Sequence, residues 1–284
     1  MLISVITPVY NRSKLLLNLS NSLMSQTDLN FEWVVVDDGS SDDPRLTIES
    51  IKPNCEFDIK FFEQDNMGKH VAVMNALRKS VGDYICIVDS DDELLPNAIE
   101  IFKRNLTKYP NFKVFLYLKS FMNDEIVGDE FECEAENVTL NRLLNIKGDK
   151  LYVFNRVLVS EAPFPIYNGE KFVTESFMWN KILLNSNAMG MNFIAYKGDY
   201  LDDGLTSDYQ TLLKKNPNGT FKFVIDNIDL DKKSFELLKQ SAYHFQSIIS
   251  LKTITDAIKL LGIKSVIKLV VLTLIFKTKE KIKK

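Results

Sequence analysis

Apolar runs alternate with polar punctuation through the first hundred residues. Leu2 to Thr7 reads as a short strand closed by Pro8, with Val9-Tyr10-Asn11-Arg12 as the loop after it. Ser13 is placed to cap a helix in which Leu15, Leu16, Leu19, Leu23 and Met24 recur at helical spacing until Thr27-Asp28. Phe31 to Val36 is a second buried strand, ending in Asp37-Asp38-Gly39-Ser40-Ser41-Asp42. A third, Phe57 to Glu63, leads through Gly68-Lys69-His70 into a helix at Val71 to Leu77, which Gly82-Asp83 ends. The run Tyr84-Ile85-Cys86-Ile87-Val88 has the length and β-branched content of a strand buried on both faces, as in a parallel sheet.

Beyond it, a helix is expected over Ala98 to Leu106 and a strand over Phe112 to Phe121, followed by an acidic surface hairpin or loop from Asn123 to Glu136. Tyr152 to Asn155 and Asn192 to Tyr196 read as strands, with a helix carrying Phe177, Met178, Trp179, Ile182 and Leu183 between them. From Tyr209 the pattern is helical, broken at Pro217-Asn218-Gly219 and resumed over Lys232 to Ser250 and from Ile254 to the end. This order predicts an α/β, Rossmann-like mixed sheet flanked by helices, with a C-terminal helical extension. Residues 1–110 and 111–210 are expected to form two halves of one domain, and 211–284 the extension.

Composition narrows the class. With 284 residues, 45% hydrophobic and 26% charged, the chain can bury a large core, and a formal net charge of −3 gives no sign of a nucleic-acid binder. Cys55, Cys86 and Cys133 are odd in number and lack CxxC spacing, which speaks against a disulfide framework or zinc site and fits a reducing compartment. The N-terminus has no basic segment or apolar stretch of signal-peptide length. The tail alternates Leu260, Ile263, Val266, Ile267 and the run Leu269 to Phe276 with Lys259, Lys264, Lys268, Lys277, Lys279, Lys281, Lys283 and Lys284. It is too short in apolar residues to span a bilayer, and its pattern predicts a basic amphipathic helix lying in the membrane interface. Packing on the protein, or use in dimerisation, is the other reading of that helix.

The candidate chemistry sits at strand ends. Asp89, Asp91 and Asp92 crowd the C-terminal edge of the central strand, where open α/β sheets bind ligands, and a divalent cation holding a phosphate would offset their repulsion. Asp91 or Asp92 capping the helix near Pro96 is the simpler alternative. Neither GxGxxG nor GxxxxGK[ST] is present.

Thr7-Pro8-Val9-Tyr10-Asn11, Val36-Asp37-Asp38-Gly39-Ser40 and Val88-Asp89-Ser90-Asp91-Asp92, each after a strand, together resemble the nucleotide-binding half of family 2 glycosyltransferases, inverting enzymes with the GT-A fold. The resemblance implies that Asp38 accepts the uracil N–H beside Pro8 and Tyr10, and that Asn11 and Ser90 belong to the nucleotide-sugar site. It further implies that Asp89 reaches the ribose, that Asp91 ligates Mn²⁺ or Mg²⁺ on the diphosphate, and that Lys69 approaches that diphosphate. Glu175 resembles the family's general base, although Ser176 stands where the family has a second acid, which leaves Glu170 as a rival. His70 and Trp179 read as site-lining or as packed side chains, and Asp202-Asp203-Gly204-Leu205-Thr206 as a loop closing over the donor or a plain turn. The implied reaction moves a hexose, as glucose, galactose or an N-acetyl form, from a UDP-sugar to a lipid-linked saccharide with a β-linkage, in O-antigen, capsule or lipopolysaccharide biosynthesis on the inner face of the cell membrane. Two other readings are a nucleotidyltransferase, whose Gly-rich loop Thr7 to Arg12 lacks, and a non-catalytic binding subunit of an assembly complex.

Overall fold

The computed structural model describes residues 1–202, 204, 208–231 and 233–283, with the side chains of 160, 161 and 279–283 left aside. Asp203, Leu205 and Thr206 of the expected closing loop, Lys232, Lys284 and the side chains of Lys279, Lys281 and Lys283 thus lie outside the description.

Four parallel strands build the first half: β1 (Ile3–Val9), β2 (Phe31–Asp37), β3 (Asp58–Glu63) and β4 (Tyr84–Ile87), in the order β3-β2-β1-β4. Helices α1 (Ser13–Met24), α2 (Pro44–Ile51) and α3 (Lys69–Lys79) connect them. Then come β5 (Glu93–Leu94), α4 (Ala98–Lys108), β6 (Val114–Ser120), β7 (Ala135–Val138), the short α5 (Leu140–Leu143), β8 (Lys150–Asn155), α6 (Ser176–Leu184) and β9 (Ala188–Lys197). Beyond β4 the sheet continues β8-β6-β9-β5, with β8 antiparallel to both β4 and β6 and with β7 pairing β9.

Alternation along the strands sends Ile6, Val34, Val36 and Ile85 to one core and Val5, Trp33, Val35 and Cys86 to the other. Helices α3 and α6 cover the first face; α1, α2 and α4 cover the second. Trp33 is fully buried because its indole N–H finds the Thr7 hydroxyl at 2.9 Å. At the N-terminal edge of the sheet Glu32 is also buried, its carboxylate accepting from Ser4, Lys60 and the Val81 N–H.

Several expectations are corrected. Pro8 does not close β1: Ile6 turns its carbonyl to Val88, so Pro8 faces the same side, where β4 has ended and no donor is needed. Ser13 does not cap α1; Arg12 holds that position, and Ser13 donates its N–H and hydroxyl to Asp42. Helix α2 went unforeseen; Asp43 caps it and Pro44 starts it. Asp91 and Asp92 do not cap α4, whose N-cap is Asn97.

The extension is α7 (Tyr209–Lys215), α8 (Pro217–Leu230), α9 (Phe235–Phe245), α10 (Leu251–Leu261) and α11 (Ile263–Lys283). Pro217 begins a helix instead of breaking one, and Gly262 at φ 80° divides the expected last helix in two. No helix among the described residues is long and apolar enough to cross a membrane. Buried Val266, Leu269 and Thr273 seat α11 on the other helices, while Ile263, Ile267, Val271 and Leu274 are 52–60% exposed along its opposite face.

Candidate active site

The C-terminal ends of β1, β2 and β4 open onto a cavity of about 540 Å³. Pro8, Tyr10, Asp38, Lys69, Asp89, Ser90 and Asp91 line it, which gathers the expected nucleotide-sugar and metal residues in one place apart from Asn11. Asn11 instead holds two loops together: at φ 53° it accepts the Ser41 N–H (2.8 Å) and donates its own N–H to Ser40 (2.9 Å). Asp38 is buried, and its carboxylate accepts from Gln64 Nε2 (2.7 Å), Met67 N (2.8 Å) and Gly68 N (2.8 Å). Burial outweighs those donors and holds its carboxyl above the ordinary aspartate range.

A second cavity, of about 550 Å³, lies toward β8 and α6. Glu175 lines it at the N-terminus of α6. The rival Glu170 is committed elsewhere, accepting from Asn218 N, Asn218 Nδ2 and Gly219 N at the start of α8. Trp179 is 5% exposed and stacked on Tyr152, ring centroids 3.9 Å apart, so Tyr152 covers one face of the expected sugar platform. His70 is packed against Phe164, and burial pushes its imidazole down to about 4.

Five residues belong to both cavities: Lys69, Asp89, Asp92, Lys119 and Asp149. The Lys69 ammonium donates to Asp89 Oδ2 and pairs with Glu175 Oε1, each at 2.7 Å. Burial alone would lower its pKa, but the two carboxylates raise it above the ordinary lysine value. Asp92 pairs with Lys119 at 2.9 Å, and Lys119 lies over the Tyr196 and Tyr200 rings. Burial and then the Asp89 charge push the Asp92 carboxyl up to about 7, against the pull of Lys119. The same two causes raise Asp91, which forms no ion pair with a described residue. Gly198 lets the chain leaving β9 pass close, since a Cβ there would stand 1.9 Å from Asp92 Oδ1.

Sequence reasoning placed Asp92 in the acidic cluster without a separate part of its own, and assigned no role to Lys119, Asp149 or Tyr152. Lys119 carried a signal: a lysine inside the apolar run Val114 to Ser120 is buried only with a partner.

Among the described residues no group of three or more His, Cys, Asp or Glu side chains forms a ready metal cage. The donor set nonetheless suits a hard cation, since Asp91 offers partly buried carboxylate oxygens on which the more distant Lys69 and Lys119 charges do not offset burial and Asp89, and such ions take one or two carboxylates and complete their shell with phosphate oxygens and water.

A mixed sheet whose strand ends carry an acidic turn between two cavities is the GT-A arrangement expected of a nucleotide-sugar transferase. Residues 4–157 match the model of Glycosyl transferase family 2, and the chain belongs to that family. It is 28% identical over 225 residues to an Escherichia coli protein named UDP-Glc:alpha-D-GlcNAc-diphosphoundecaprenol beta-1,3-glucosyltransferase, covering 75% of this chain and 83% of that one. It is 40% identical over 101 residues to an uncharacterized glycosyltransferase of Rickettsia conorii, 35% of this chain and 16% of the relative, so it spans about a sixth of that protein's length. Of solved structures, S. aureus TarS in complex with UDP-GlcNAc superposes with a TM-score of 0.70 at 18% identity, covering 98% of this chain and 92% of that one. A Pyrobaculum calidifontis mannosyltransferase in complex with GDP-Man and Mn²⁺ gives 0.58 at 16% identity, covering 96% and 86%. These likenesses establish the GT-A fold.

Proposed function

We propose that the chain transfers a hexose, as glucose, galactose or an N-acetyl form, from a UDP-sugar to a hydroxyl of a lipid-linked saccharide, with inversion. The observation that carries this is the meeting of two cavities at Lys69 and Asp89: one holds the residues that resemble a nucleotide site, the other Glu175, a carboxylate that reaches the shared wall through its ion pair with Lys69. On this reading residues 1–110 hold the donor and 111–210 the acceptor. Asp38, Pro8 and Tyr10 face the uracil, with Asn11 bracing their loop. Asp89 and Ser90 meet the ribose and sugar, and Lys69 the diphosphate.

Glu175 takes the proton of the acceptor hydroxyl as its oxygen bonds the anomeric carbon, and the opposite C–O bond breaks with its electron pair leaving on UDP. A β-linkage follows from a UDP-α-sugar. Asp91 would hold Mn²⁺ or Mg²⁺, which when bound neutralises the leaving diphosphate. The name of the E. coli relative supports a UDP-sugar and a diphospholipid acceptor, in O-antigen, capsule or related surface-polysaccharide synthesis. Peripheral attachment to the inner face of the cell membrane is supported by the exposed Ile263, Ile267, Val271 and Leu274 with exposed Lys264 and Lys268 beside them. A non-catalytic subunit is not favoured, since such a protein has no use for a carboxylate facing the junction from the acceptor side.

The test is nucleotide release from UDP- and GDP-sugars, with a GlcNAc- or GalNAc-diphosphate-lipid acceptor, in Mn²⁺ and then in excess EDTA. Metal-dependent release from one UDP-sugar that rises with acceptor is expected. No turnover with any donor, together with no UDP binding, would overturn the reading.

A further inference from the structure

Lys69 is fixed from both sides of the junction. Asp38 takes the Gly68 N–H, and Gly68, at φ 97°, lies so close to the segment leading to Glu175 that a Cβ would fall 1.9 Å from the Lys171 carbonyl oxygen. The backbone before Lys69 is thereby held in the first cavity against the segment that leads to Glu175, while its ammonium reaches both Asp89, at the shared wall, and Glu175, in the second cavity. One cation serves two carboxylates, and all three side chains are 25–40% exposed. Each link at such exposure is worth about fivefold in an equilibrium at most, so a diphosphate can compete for the ammonium. A lysine suits such an exchange, being a point charge on a flexible stem with three donors.

We propose that Lys69 couples the two subsites: without donor it occupies Glu175 in an ion pair, and an entering nucleoside diphosphate draws the ammonium away and leaves that carboxylate free for the acceptor hydroxyl. This rests on the transferase reading above and adds to it the residue that links its two subsites.

The proposal is tested by calorimetric titration of UDP, with Mn²⁺ present, into the wild type, Glu175→Gln, Glu175→Asp, Lys69→Met and the Lys69→Met/Glu175→Gln double variant. Removing the competing carboxylate should tighten UDP binding about fivefold in Glu175→Gln, and the gain should vanish when Lys69 is already methionine. Glu175→Asp keeps the charge but withdraws it by one methylene, so it too should bind UDP more tightly. An equal gain with and without Lys69 would overturn the proposal, since it would reflect charge acting through space. Unchanged UDP affinity in both Glu175 variants would overturn it as well. If Lys69→Met does not fold, the Glu175→Asp comparison decides alone, a gain supporting the coupling and no gain overturning it. A wild type that binds no UDP would instead overturn the transferase reading and this proposal with it.

Discussion

The sheet carries buried acid at both edges, and the two groups are opposites. Glu32, at the N-terminal edge, has its oxygens filled by Ser4, Lys60 and the Val81 N–H, and although burial works against it these partners hold its carboxyl below the ordinary range. At the C-terminal edge Asp91 and Asp92 are raised by burial and by Asp89, with Lys119 answering only part of the charge. Glu32, paired with a cation of its own chain, serves the fold; Asp91 and Asp92, left short of positive charge, are prepared for something the chain does not contain.

The sharpest way to break this contrast is Asp91→Asn. Nucleotide release should fall about 10³-fold, while the melting temperature stays level or rises slightly as repulsion with Asp89 is relieved. A fall in both would make Asp91 structural. Glu32→Gln should do the reverse, costing about 2 kcal/mol of unfolding free energy by removing the buried charge that Ser4, Lys60 and the Val81 N–H answer and leaving Lys60 only its 3.8 Å contact with Asp58, with turnover at low temperature unchanged. Because the folded carboxyl lies below its unfolded value of 4.5, its contribution is whole above that pH and is lost as pH falls through the lowered value. Denaturant titrations of wild type and variant should therefore converge in acid.

A smaller effect comes from the extension. His244 is buried and neutral, its Nδ1–H donating to the Gln240 carbonyl (2.8 Å) and its Nε2 accepting the Tyr209 hydroxyl (3.1 Å), and burial pushes its pKa down to about 4. The unfolded ring takes a proton below about 6.5, the folded one only near 4, so stability is lost as pH drops through that interval. Between pH 7 and 5 the wild type should lose about 2 kcal/mol more than His244→Gln, measured by the same titrations.

The contrast also explains what could be read in advance. The first four strands are parallel, and β1, β2 and β4, inside the edge strand β3, are apolar runs with a polar stop, so the residues at those stops follow from local sequence. Asp38, Asp89 and Asp91 were found in this way. The second half is antiparallel and mixed; β9 is bulged against β6, with Met191, Asn192, Phe193 and Ile194 only half-buried, and it was foreseen at half its length. Partners there come from distant segments, such as Lys119 for Asp92 or Asn218 for Glu170, and no local pattern announces them. Glu175 was legible as a residue, but its bridge to Asp89 through Lys69 needed three segments brought together.

The shared wall between the cavities has a bearing on descent and redesign. Tyr10 and Arg12 face only the first cavity, and Tyr152 and Phe164 only the second, so variation at these positions retunes one compartment while the other keeps its shape. Lys69, Asp89, Asp92, Lys119 and Asp149 are read from both sides. A lineage, or a library, can therefore diversify the two chambers independently around a five-residue hinge of constraint that any successful variant inherits intact.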